Sequence, residues 1–273
     1  MQFDIVTIFP EFFSGILECG LMKRAISGSQ VAVRLHNLRD FTDDAHRTVD
    51  DRPFGGGPGM VFKPEPLFRA VEAIQSGAPQ QDMRVVLLTP QGRVLNQSLV
   101  EEFSGESRLL LLCSRYEGVD ERVATHLATD EVSVGDYVLS GGEAAAAVLI
   151  EAVTRLLPGV LGNEESKCAE SFSTGASSAE AVACGGLLDF PQYTRPAEFR
   201  GLRAPEVLLS GNHEQIRVWR WRQAVLKTYR RRPDLIEKSG LNPEEIRATL
   251  RELQQLGEEV STTRPGPPPE LNG

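Results

Sequence analysis

A chain of 273 residues, 41% hydrophobic and 25% charged, is long enough to bury the core of one large domain or two modest ones. No apolar run reaches the length of a membrane span and the first residues lack the pattern of a secretory signal, so the expectation is a cytoplasmic protein with no membrane partner. The net charge of −9 argues by itself against nucleic acid, and four cysteines without a C-x-x-C pair beside scattered histidines give no expectation of a metal site.

In chain order, short apolar runs alternate with helical spacing. Strands are predicted at 3–9, 31–36, 84–89, 108–113 and 132–138. Helices are predicted at about 11–27, 64–76, 96–103, 119–127 and 144–157. This alternation predicts an α/β domain over 1–162 with a mostly parallel sheet, ending near Pro158-Gly159. Residues 163–186 are rich in Ser, Ala, Gly and Glu without periodicity and read as a flexible interdomain linker. Helical spacing returns at 213–230, 232–238 and 242–256, which predicts a small helical domain over 187–256. The proline-rich end, 257–273, is expected to be disordered.

Three of the strands run into polar, glycine-containing loops: Leu88-Thr-Pro-Gln-Gly92, Ser114-Arg-Tyr-Glu-Gly118 and Val134-Gly-Asp-Tyr-Val-Leu-Ser-Gly-Gly142. Continuous apolar runs suit strands buried on both faces of a parallel sheet, so the three loops would share one edge and form a composite pocket. Glycines such as Gly135, Gly141 and Gly142 let main-chain groups approach a flat ligand such as a nucleobase. No P-loop and no G-x-G-x-x-G follows the first strand, which disfavours an NTPase or an ordinary dinucleotide fold. The glycine loop at 50–60 could cover a site, receive a backbone phosphate through Arg52, or simply be a surface loop.

Charge distribution reverses the inference from net charge. Between Arg217 and Arg232 there are seven basic residues and no acid, with Trp219 and Trp221 among them. Val218, Trp221, Val225 and Leu226 fall at helical spacing, so the segment reads as an amphipathic helix whose basic face, with Arg220, Arg222, Arg230, Arg231 and Arg232, contacts phosphates. The alternative is an ordinary charged face.

Taken in order, Thr48-Val-Asp-Asp-Arg-Pro-Phe-Gly-Gly-Gly-Pro-Gly-Met60, Pro90-Gln-Gly-Arg93, Arg115-Tyr-Glu-Gly-Val-Asp-Glu-Arg122, Gly135-Asp-Tyr-Val-Leu-Ser-Gly-Gly-Glu143, Pro158-Gly-Val-Leu-Gly162 and Pro191-Gln-Tyr-Thr-Arg-Pro196 closely resemble the bacterial tRNA (guanine-N1)-methyltransferase family over about residues 1–250. This is the knotted, SPOUT class that methylates the guanosine immediately 3′ of the anticodon.

The resemblance implies a deep trefoil knot, a homodimer whose active sites draw on both subunits, and S-adenosylmethionine as methyl donor. It places the donor among Leu88, Thr89, Pro90, Ser114, Glu117, Val134, Gly135, Asp136, Tyr137, Val138, Leu139, Gly141 and Gly142. Position 114 is glycine in the family and serine here. Guanine N1 carries a proton, so transfer needs a base and a cation for the charge developing at O6. The family uses an aspartate before Ser-Phe and an arginine late in the preceding helix, which correspond to Glu170 and Arg155, with Asp189 as the rival carboxylate. Arg155 could instead pair with Glu151, Glu170 could be a solvated linker charge, and Arg115 with Glu117 could be a surface pair. Tyr193 and Arg195 read as loop packing and phosphate contact. Roughly ten residues are inserted within 173–185 relative to the family, an addition that loop-closure entropy tolerates. A Mg²⁺ requirement is a further expectation from the family. Two other readings stay open: a noncatalytic RNA-binding protein that keeps the cofactor pocket, and a knotted methyltransferase acting on the RNA 2′-hydroxyl.

Overall fold

The computed structural model describes residues 1–76, 83–162, 170–173, 186–257 and 260. The chain divides into two compact units, Met1–Gly162 and Asn163–Gly273. The first opens with β1 (Gln2–Thr7), a 3₁₀ turn, and two short helices, α1 (Ser14–Leu17) and α2 (Gly20–Ser27). The single helix expected over 11–27 is therefore broken. Cys19 is extended and Gly20 takes a left-handed φ of +55°, so the hydrogen-bond ladder restarts there.

After β2 (Ala32–Asn37), a short antiparallel pair, β3 (Asp50–Asp51) and β4 (Val61–Phe62), closes the base of the glycine loop. Then come α3 (Pro64–Ser76), β5 (Arg84–Val94), α4 (Gln97–Ser104), β6 (Arg108–Cys113), α5 (Glu121–His126), β7 (Asp130–Ser133) and α6 (Glu143–Leu156). Asn96 and Asp120 cap α4 and α5 by accepting from Leu99 N and Arg122 N.

The main sheet has the order β2-β1-β6-β5-β7, and every pairing is parallel. Successive side chains of a strand point to opposite faces, so the leucines of β6 feed two cores. Leu109 and Leu111 join Phe3, Ile5, Val86 and Leu149 on one side. Leu110 and Leu112 join Val6, Val85, Leu87 and Val71 on the other. Strands buried this way need a continuous apolar sequence, which is why these runs are readable.

Two of the strand boundaries that differ from expectation shape the site. β7 stops at Ser133 rather than continuing to 138, because the Ser133 hydroxyl accepts from Gly135 N at 3.2 Å and donates to Gly135 O at 3.0 Å, a local turn that replaces the ladder. β5 runs on past 89 to Val94: its register shifts after Leu88, and Arg93 and Val94 pair again with Val132 and Ser133. Gly92 permits this second approach, since a Cβ there would lie 2.3 Å from the Val132 nitrogen.

The second unit contains an antiparallel ribbon, β8 (Glu198–Phe199) with β9 (Leu202–Arg203), then α7 (Glu206–Leu209), α8 (His213–Arg231), α9 (Pro233–Lys238) and α10 (Pro243–Gln255). Leu187, Val225 and Ile246 form its core with Trp221, Ile236, Leu241 and Leu250 against them. The ribbon is a correction to a purely helical reading of 187–256. It turns through Arg200 (φ 53°) and Gly201 (φ 77°), both left-handed as a two-residue hairpin turn requires, and arginine in the first place hides that signal. Most of the expected linker, 163–169 and 174–185, and nearly all of the expected tail, 258–259 and 261–273, lie outside the described residues.

Candidate active site

The break in β5 after Leu88 and the carboxyl ends of β6 and β7 lie on one edge, because the three strands are adjacent and parallel. Their loops, with Ala145 of α6, line a cavity of about 260 Å³. Leu88, Thr89, Pro90, Ser114, Glu117, Val134, Gly135, Tyr137, Val138, Leu139, Gly141 and Gly142 all line it. Asp136 is exposed and does not, because Gly135 at φ +148° turns the chain before it. Leu88, Val132, Val134, Leu139 and Ala145 supply apolar walls. Tyr137 and Val138 are 57% and 86% exposed at its rim.

Close backbone packing holds these loops. Gly142 N donates to Ser114 O at 2.8 Å, and a Cβ on Gly142 would fall 2.9 Å from the Cys113 Cα. The start of α6 thus rests on the end of β6, which only glycine allows. Ser114 Oγ reaches Leu88 O at 3.4 Å and ties the first two loops. Tyr137 folds back, donating its hydroxyl to Val134 O at 3.1 Å.

Glu143 lies behind the lining residue Arg115, and sequence reasoning did not single it out. It is 1% exposed, accepts from Thr7 Oγ1 at 2.8 Å, and pairs with Arg115 Nε at 3.2 Å. The Arg115 guanidinium lies 4.4 Å from the centre of the Phe9 ring. Arg115 therefore does not form a surface pair with Glu117. Glu117 turns to the glycine loop instead: its N donates to Met60 O at 3.0 Å, and its side chain fills the space where Gly59 lacks a Cβ. Burial pushes the Cys113 thiol well above its usual range, and the nearby Glu143 carboxylate adds to that against the pull of Arg115, so this cysteine is inert.

Arg155 stands half-buried in the last turn of α6. Glu170 and Asp189 belong to the second unit, where the segments on either side of the insert are hydrogen-bonded together. Phe172 N donates to Leu187 O at 2.9 Å, Gly186 N to Ser173 O at 2.8 Å, and Asp189 N to Ser171 Oγ at 3.0 Å. The two candidate carboxylates thus share one small framework. Asp189 receives Lys227 Nζ at 2.9 Å.

Along α8, Ala224, Val225, Leu226 and Thr228 are buried, whereas Val218 and Trp221 are half-buried. Arg220, Arg231 and Arg232 are exposed, as are Arg52 and Arg195 in their loops. The acid-free look of this segment is corrected by its neighbours. Arg222 pairs with Glu252 of α10, Arg217 with Glu214 at 2.7 Å, and Arg232 with Asp234 at 2.8 Å. Those acids lie outside 217–232, so a window on the sequence misses them. Arg220 stacks 4.8 Å over Phe190, and Tyr193 is tilted against Trp219 at 6.3 Å. Among the described residues, no three His, Cys, Asp or Glu side chains form a metal-holding group, and no helix is long and apolar enough to cross a membrane.

Comparison with known proteins sharpens the chemistry. The model of the family described as tRNA (Guanine-1)-methyltransferase TrmD matches residues 1–238. A tRNA (guanine-N(1)-)-methyltransferase of Dictyoglomus turgidum is 48% identical over 260 residues, 95% of this chain and 100% of its own. Its namesake in Moorella thermoacetica is 53% identical over 247 residues, covering 90% of this chain and 94% of the relative. That of Koribacter versatilis is 51% identical over 252 residues, 90% and 96% of the two chains.

Proposed function

The chain belongs to the tRNA (guanine-1)-methyltransferase family and is an enzyme of methyl transfer to tRNA, and from that premise we propose how its own residues serve the reaction at N1 of the guanosine immediately 3′ of the anticodon. The observation that carries the reading is the three-loop cavity at the carboxyl edge of the sheet, in a chain matched by this family over 1–238. S-adenosylmethionine, when bound, supplies an activated methyl group. The residues present fit it on three counts. Leu88, Val134, Leu139 and Ala145 offer apolar walls to an adenine face, the packed glycines 141 and 142 bring main-chain groups to its edge, and Glu117 at the rim offers a carboxylate to its ammonium.

In this reading Glu170 removes the N1 proton and Arg155 holds the charge that develops at O6. Asp189, held by Lys227 at 2.9 Å, is the rival carboxylate. Arg52, Arg195 and the arginines of α8 bind phosphates, which carry no sequence information but fix the register of the RNA. The second unit then serves as the tRNA-binding domain, joined through 163–186.

The same proposal includes the trefoil knot, supported by the return of Arg93 and Val94 to β7 across Gly92. It includes a homodimer, supported by the apolar surface that Phe12 and Val148 leave exposed on the first unit. A cytoplasmic location and a Mg²⁺ requirement rest on the family alone.

Single-turnover transfer of labelled methyl groups to a defined tRNA, with base analysis of the product, tests the reaction. Glu170→Gln is expected to lower transfer by about 10³-fold or more while leaving S-adenosylmethionine and tRNA affinities near those of the parent, because the amide keeps the shape but takes no proton. Glu170→Asp should retain substantial activity. Normal turnover of Glu170→Gln with loss in Asp189→Asn would move the base to Asp189.

A further inference from the structure

The β8–β9 ribbon has a feature that a merely structural hairpin does not need. Phe199 and Leu202 face each other across it and are each 60% exposed, and neither joins the core of its own unit. The ladder continues through Ala204 N to Ala197 O at 2.8 Å, and Arg203 pairs with Glu198 at 3.1 Å, so the ribbon is well made. Its tip is strained nevertheless. Arg200 is held at φ 53°, where glycine, asparagine or aspartate is the easy choice, and its guanidinium lies 5.3 Å from the centre of the Phe199 ring. Strain kept in an exposed loop points to a use for the side chain that bears it.

We propose that the tip of this ribbon stacks one unpaired base of the tRNA on Phe199, with Arg200 lending its planar cation to the same stack. The proposal rests on the tRNA methyl-transfer reading above. Size selects the occupant. Phe199 at 60% exposure offers on the order of 100 Å², the face of one base, whereas a stable protein interface needs roughly 800 Å² from each partner. Charge agrees with it. Residues 195–232 hold ten Lys and Arg against three Asp and Glu, in a chain whose net charge is −9. Arginine and aromatic side chains together make a sequence-tolerant platform for a base, distinct from the phosphate contacts assigned to α8.

The test measures tRNA binding by full-length protein across a salt series, with sedimentation and S-adenosylmethionine binding beside it. Phe199→Ala and Phe199→Leu should each weaken tRNA binding about tenfold or more with the salt slope unchanged, since a stacked base releases no counterions. Phe199→Trp should bind like the parent and show added fluorescence quenching on tRNA addition relative to the parent. S-adenosylmethionine affinity should stay constant throughout. Affinity within about twofold of the parent in Phe199→Ala, or Phe199→Leu equal to Phe199→Trp, would overturn the stacking. So would a dimeric parent that becomes monomeric on Phe199→Ala, which would assign the ribbon to a second copy of the chain. Methyl transfer by the parent is scored separately, so a failure of the enzymatic reading is told apart from a failure of this one.

Discussion

Asp4 is a charged residue with no exposed surface in the middle of an apolar strand, and its neighbours account for it. Burial raises its carboxyl, but hydrogen bonds with His36 at 2.8 Å, Arg108 at 2.7 Å and Gln2 at 2.7 Å outweigh that and hold it at about 2. A carboxyl depressed on folding contributes stability above its unfolded value of 3.8, and that contribution, about 2 kcal/mol, drains away as the pH falls through about 2. Urea unfolding from pH 7 to pH 2 should therefore show the parent losing stability below about pH 4. Asp4→Asn should start lower and lose this part of the slope; equal slopes would remove Asp4 from the acid transition. Pairs of this kind are the part of the molecule least legible in sequence. Glu143 meets Thr7 across 136 residues of chain and Arg115 across 28, so nothing local marks it as the buried partner of a pocket-lining arginine. The three glycine-containing loops were legible from their sequence, whereas the individual lining residues could be named in advance only through the resemblance to the family.

At the level of elements, α8 shows how far a charge pattern can be taken. Its basic face is real, but Glu252 and Asp234 occupy Arg222 and Arg232. Arg217, Arg222 and Arg232 are thus engaged within the protein, and the count of arginines overstates what this face offers to a phosphate. Replacing Arg220 and Arg231 together should weaken tRNA binding and flatten its salt slope by about one for each phosphate no longer neutralised. Glu252→Gln should do the reverse, releasing Arg222 to tighten binding at low salt. A salt series on both variants decides the matter, and unchanged slopes would take this helix off the RNA surface. Strands β5 and β6 were legible because burial on both faces demands an unbroken apolar run. The end of β7 was not, since one serine hydroxyl closing on Gly135 outcompetes a sheet partner, and no periodicity records such a contest. The β8–β9 ribbon escaped for a related reason: two-residue strands carry too few positions to show alternation.

For the whole molecule, the proposed division of labour between subunits makes a direct prediction. If Arg155 of one subunit works with Glu170 of its partner, an isolated heterodimer of Arg155→Ala with Glu170→Ala subunits keeps one intact site. It should then recover about half the parental rate, whereas each homodimeric variant is inactive. No recovery would place both residues in the same subunit's site. The break between the two compact units at Gly162 coincides with a change in composition, where a Ser- and Ala-rich stretch follows a region of clear periodicity. How the flanks of the insert are joined is not legible in composition, since it depends on main-chain bonds that any residue can make. Those bonds at Ser173 and Gly186 tie the inserted segment off at its neck. The two flanks are thereby held together whatever the chain length between them, and the neck becomes a natural port for engineering. A spectroscopic label or a short reporter peptide hung from it would leave the hydrogen-bonded flanks of the segment in place.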